Sequence, residues 1–135
     1  MNTMTDPRLT LSLLTETLAV ARLSADAPLP GWVDWSDPFV TVSRTRDEVS
    51  VACLEARVPA EQQAERGWRA FKVEGPLDFA LTGILARLAT PLAEAGISIF
   101  AISTYDTDYL LVRAADLGAA TAVLGRANIL QLPLN

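Results

Sequence analysis

The chain contains no histidine, so imidazole bases, His-centred triads and His-ligated metals are excluded. Its one cysteine, Cys53, can form no internal disulfide and falls short of a Cys-rich zinc site. Lysine is nearly missing too: Lys72 stands against ten arginines. A net charge of −5 without any basic run argues against nucleic acid and against an anionic membrane surface. Apolar runs stay short of the roughly 18 residues that suggest a membrane span. MNTMTDPRLT lacks the basic and apolar regions of a signal peptide, so a cytoplasmic protein is expected. What remains for chemistry is carboxylates, hydroxyls and a single amine.

Hydrophobic residues make up 50% of the 135, enough to build a core for one globular unit or for two small domains. Alternation marks LTLSLL (Leu9 to Leu14), FVTVSR (Phe39 to Arg44) and EVSVACLE (Glu48 to Glu55) as strands, the last two forming a hairpin through Thr45-Arg46-Asp47, and LAVARL (Leu18 to Leu23) reads as another strand. Pro28, Pro30, Gly31 and Pro38 forbid a long helix in between, and Trp32 with Trp35 suggests a short helical turn pinned to the sheet. Pro59 and Gly67 bracket one or two further helical turns.

The second half begins with the strand WRAFKVEG (Trp68 to Gly75). Asp78 then stands as an N-cap for FALTGILARLATPLAEAG, whose Leu81, Ile84, Leu85, Leu88 and Leu92 recur at helical spacing up to a stop at Gly96. Gly83 falls in the first turn and Pro91 near the end of that helix. ISIFAIST and DYLLVR follow as strands, AADLGAATAVLGRAN as a second helix and ILQLPL as a last strand. Strand, helix, strand, strand, helix, strand is the split βαβ pattern of an antiparallel sheet with both helices on one face.

The halves echo each other. Setting Ser43 on Ser103, an offset of 60, lays one hairpin over the other, and setting Val20 on Phe71 gives an offset of 51. The difference implies a first repeat whose helix is about two turns shorter.

The run VEGPLDFALTGILARLATPLAEAGISIFAISTYDTDYLLV, Val73 to Val112, covers about a third of the chain and resembles the ACT domain. It is most similar to short bacterial tandem-ACT proteins related to the ACT modules of the CASTOR arginine sensors. The resemblance implies an α+β chain of two ferredoxin-like (βαββαβ) repeats with antiparallel sheets. The first, over 1–67, is degenerate; the second spans 68–135. It also implies an amino acid or similar metabolite bound where two modules meet, in a homodimeric, non-enzymatic regulator without cofactor or metal.

Carried over by position, the ligand loop between first strand and first helix is Gly75, Pro76, Leu77, Asp78 and Phe79, with Gly83 at the helix start. The acidic residue before the second hairpin strand is Asp108, beside the main chain of Thr104 and Tyr105. The sensors' acidic residue in the early helix is replaced by Leu81, which leaves a less basic amino acid as open as arginine.

Each position also has a plain structural reading. Asp108 and Asp106 can be solvated turn residues, Thr104 and Tyr105 can simply hold the turn, and Gly83 can be a packing glycine. Lys72 and Glu74 fit an exposed strand face, and Cys53 a small buried hydrophobe. As ligand groups, Asp108 would take an α-ammonium and the N–H groups at the helix start an α-carboxylate. Two other classes stay in view: a ligand-free ACT-type interaction module, and a small enzyme built on Asp78, Asp106 and Asp108.

Overall fold

The alternating segments become strands almost residue for residue in the computed structural model, which describes residues 8–75 and 83–133. In chain order they are β1 (Thr10–Leu13), β2 (Leu18–Leu23), β3 (Val40–Arg44), β4 (Val49–Leu54) and β5 (Ala64–Val73). Then come α1 (Ile84–Glu94), β6 (Ile99–Ser103), β7 (Asp108–Arg113), α2 (Leu117–Gly125) and β8 (Ile129–Gln131). The chain divides into two compact units: Glu16–Trp68, and the described residues before Glu16 with those from Arg69 on.

In the Glu16–Trp68 unit the strand order is β3-β4-β2-β5, every pair antiparallel. One sheet face carries the core: Ala19, Ala21, Val49, Val51 and Cys53, joined by Val58. No α-helix occurs among the described residues of this unit. Trp32 does pack against the core, but from a turn rather than a helix, and Trp35 is 63% exposed. Three prolines deny this stretch the backbone donors a helix needs. It is held instead by side chains: Arg44 donates to the Ala25 and Ala27 carbonyls, and Arg57 donates to both Asp37 oxygens at 2.8 Å.

The helical turns expected between Pro59 and Gly67 are also absent. A 3-10 turn sits earlier, at Glu55–Arg57, and β5 has begun by Ala64. Gly67 takes φ +78° inside that strand, where the β2–β5 register shifts between Leu18 and Val20. It allows a bulge, a job that a helix-ending glycine resembles in sequence because both need positive φ.

The other unit is the expected split βαβ arrangement, β5-α1-β6-β7-α2-β8, with one addition. Its strand order is β6-β7-β5-β1-β8: β1 lies between β5 and β8, antiparallel to the first and parallel to the second. Phe71, Val73, Leu110, Val112 and Leu11 face Leu88 and Leu92 of α1 and Ala120, Val123 and Leu124 of α2, so both helices cover one face. Each unit thus builds the same ferredoxin-like order of four strands, the first having lost its helices. The hairpins superpose at an offset of 59 rather than 60, since 99 − 40 and 108 − 49 agree and the 3-10 turns at Glu55 and Ala114 follow the same shift. A slip of one residue matters because it exchanges the two faces of every strand.

Candidate functional site

Three features meet at one end of the second unit. β5 ends at Val73 with Gly75 in a bend beyond it. The β6–β7 hairpin turns at residues 104–107 beside it, because the buried Thr107 donates its hydroxyl to the Val73 carbonyl at 2.6 Å. The α1 N-terminus comes to the same end, since its C-terminus leads within a few residues to Ile99, the far end of β6. Pro76, Leu77, Asp78, Phe79 and Leu81 lie outside the described residues, as does the N-cap expected at Asp78.

Gly83 is described and differs from expectation. It precedes α1 instead of sitting in the helix, at φ 75° and ψ 3°, with no side-chain cap. That is a left-handed conformation suited to glycine. Pro91 lies inside α1 as expected, one turn before the helix ends at Glu94.

The hairpin tip is fastened from within. Thr104 N–H donates to the Thr107 carbonyl at 2.8 Å and its hydroxyl to the same oxygen at 3.1 Å. Thr45 and Glu48 make the equivalent 2.9 Å bond in the first unit. Asp108 pairs across the strands with Ser103, whose hydroxyl donates to Oδ1 of Asp108 at 2.5 Å. Alternation along β7 places Asp108 with Leu110 and Val112, on the helix-covered face at its open end. Tyr105 is 82% exposed.

The opposite face of the same hairpin holds a cavity of about 160 Å³, lined by Lys72, Gly75, Thr104, Asp106, Thr107 and Tyr109. Of the sequence-derived site residues, Gly75 and Thr104 line it; Tyr105, Asp108 and Gly83 do not. Alternation puts Lys72, between the buried Phe71 and Val73, and Tyr109, between Asp108 and Leu110, on the face away from the helices, but only the pairing of β7 with β5 brings them together with Asp106.

A larger hollow of about 510 Å³ lies in the Glu16–Trp68 unit, with Glu16, Glu55 and Arg66 on its walls. Two of these charges hold the walls themselves. Arg66 Nη2 donates to the carbonyls of Pro59 at 2.9 Å and Gln62 at 3.0 Å, and Glu55 Oε1 accepts the Gly67 N–H at 2.7 Å. Nearby, Cys53 is buried, and that burial, followed by the Asp37 charge, pushes its thiol above the usual range. Among the described residues no group of three or more Cys, Asp or Glu could hold a metal ion, and no helix is long and apolar enough to cross a membrane.

Comparison with known proteins bears on the family and the fold. A family model described as ACT domain matches residues 63–126, and a model of an N-terminal domain matches 16–61. The human cytosolic arginine sensor for mTORC1 subunit 1 is 43% identical over 60 residues, 44% of this chain but 18% of the sensor. The chain therefore spans well under a third of that relative's length. The crystal structure of Agrobacterium tumefaciens protein Atu0741 is 41% identical, covers 96% of both chains and superposes with a TM-score of 0.88. The ligand-free regulatory subunit of Thermus thermophilus aspartate kinase shares the fold, with a TM-score of 0.54 at 12% identity, over 87% of this chain and 95% of that one. The chain is an ACT-domain protein, of one family with the Agrobacterium protein and related to the ACT modules of the cytosolic arginine sensors.

Proposed function

We propose that this protein is a non-enzymatic regulatory module that binds an amino acid at the helix-covered side of the β6–β7 hairpin. The Asp108 carboxylate receives the α-ammonium, beside the main chain of Thr104 and Tyr105. The α-carboxylate is assigned to the sequence-derived loop of Gly75, Pro76, Leu77, Asp78 and Phe79, of which Gly75 alone lies among the described residues, and Gly83 stands just before α1. The observation that carries this reading is the Thr107–Val73 bond, which ties the hairpin to the strand end where that loop begins. Asp108 keeps a second oxygen beyond the one that takes the Ser103 hydroxyl. Kinship with an arginine sensor supports the amino-acid class, and Leu81 in place of an acid leaves a less basic amino acid as open as arginine.

Thermal-shift screening of the twenty amino acids tests this. A ligand at about a hundredfold over Kd adds about 2.7 kcal/mol of stability. Asp108→Asn removes a charge-assisted hydrogen bond of about 1.5–3 kcal/mol, so calorimetry should show Kd rising about tenfold or more. A flat screen with millimolar ligands would leave the ligand-free interaction module in its place.

We also propose a homodimer: among the described strands β6 pairs only with β7, and its other edge is open to side-by-side pairing with a second copy. Sedimentation reporting a monomer at micromolar concentration would remove that part of the proposal.

A further inference from the structure

Arg44 stands in the first unit where the second unit has the Ser103–Asp108 pair. The hairpins superpose at an offset of 59, so Arg44 corresponds to Ser103 and Val49 to Asp108, and each pair lies directly across its two strands. Alternation puts Arg44 on the same side of β3 as Val42, which packs against the core, at the open end of that strand. Ser103 and Asp108 hold the same position on the helix-covered side of their own hairpin. Each corner adjoins the stretch that leaves the neighbouring strand, residues 24–27 after β2 and Gly75 after β5.

The chemistry of the two corners is reversed. In the second unit the hairpin supplies a carboxylate. In the first, Val49 brings no charge, and the cation comes from the chain itself. Pro28 and Pro30 forbid a helix after β2, and the loop there turns two carbonyls towards the hairpin. Nη1 of Arg44 donates to the Ala25 carbonyl and Nη2 to the Ala27 carbonyl, the latter at 2.5 Å. A planar fork with two donors suits two carbonyls two residues apart, whereas an ammonium is a point charge without that fixed geometry. The loop is already shaped around this contact. Ala27 N–H donates to the Ser24 carbonyl at 3.0 Å, and the Ser24 hydroxyl donates to Asp26 at 3.0 Å.

We infer that the first unit carries a guanidinium site and that Arg44 fills it as a tethered guest, closing this repeat to free ligands. The site stands on these contacts; its equivalence to a ligand pocket rests on the Asp108 reading proposed above. A chain built this way offers a free corner only in its second unit. In its first unit the filled corner fixes the start of the loop that packs Trp32 on the core.

Vacating the site tests the inference. Arg44→Ala in the ¹⁵N-labelled full chain should accept n-propylguanidinium, the head and stem of the missing side chain. Saturable amide shifts should then centre on Ala25, Asp26 and Ala27. The unmutated chain, whose site is filled, should bind this probe about tenfold more weakly or less, and n-propylammonium should not replace it in the variant. A second measurement needs no variant. Two carbonyls restrain the guanidinium, so Arg44 should show separate Nη signals, as Arg57 should on Asp37, where a freely rotating arginine gives averaged ones. Averaged Arg44 signals overturn the inference. So does a folded Arg44→Ala chain without saturable shifts, or equal binding of the probe by both chains. None of these readouts involves Asp108: a flat amino-acid screen overturns the Asp108 reading without touching them, and their failure leaves that reading intact.

Discussion

At φ 75° immediately before α1, Gly83 is a position where the sign of a mutation distinguishes two readings. Inside a helix, Gly→Ala would stabilise by about 1 kcal/mol. In a left-handed conformation the same change costs about 1–2 kcal/mol, although a Cβ there would meet nothing within 4 Å. Gly83→Ala should therefore lower the urea midpoint. Helical spacing over Ile84, Leu85 and Leu88 reveals the helix but is silent on φ, and so cannot tell a glycine inside the first turn from one just before it. The charged turn in the other unit makes a second residue-level case. Asp34 accepts the Ser36 hydroxyl at 2.6 Å and its N–H at 2.9 Å, with Arg57 at 3.2 Å, and these hold its carboxyl below its ordinary value near 3.8. A depressed carboxyl contributes stability above 3.8 and loses it as pH falls through the lower folded value. Ser36→Ala removes the largest cause, so the Asp34 titration followed by carbon NMR should move upward.

Strands were far more legible than their surroundings. Alternation in LTLSLL or FVTVSR is visible because one face of the strand demands apolar side chains at every second residue, whereas LAVARL and DYLLVR read as strands from short apolar runs buried on both faces. The partner of β1 was not legible, because pairing across a sheet leaves no local trace. LTLSLL looks the same whether it begins the first repeat or completes the second. Its observed place makes Leu11, 1% exposed, part of the core beneath α1 and α2. Leu11→Ala should cost about 2–5 kcal/mol in chemical denaturation. That loss belongs to the unit from Arg69 on, despite more than fifty residues of intervening chain. The candidate site shows the same division. Hairpin residues Thr104 to Asp108 stand out in the sequence, whereas Lys72 joins Asp106 only once β5 and β7 lie side by side.

For the whole molecule, the discontinuous unit predicts how a shortened chain behaves. A chain beginning at Glu16 keeps every strand of the first unit but leaves β5 and β8 without β1 between them. It should lose the dispersed NMR signals of the unit from Arg69 on. Cys53, 1% exposed in the other unit, should still resist alkylation. Equal loss of thiol protection would show that the first unit does not hold by itself.

Placing β1 between β5 and β8 also orders events in time. Ser12 bonds to Gln131 across a sequence separation of 119, and the Ile129 N–H reaches back to the Leu9 carbonyl at 2.8 Å. β1 must therefore wait for β8, made more than a hundred residues later, before its second edge is paired. Meanwhile the contacts of Glu16–Trp68 are all available and comparatively local. Closing so long a loop late is entropically slow, and a waiting strand offers its open edge to other chains. Because β1 and β8 run parallel, a circular permutant has to link them through a crossover of about a dozen residues or more; it would make that last step more local and should speed refolding without changing the strand order.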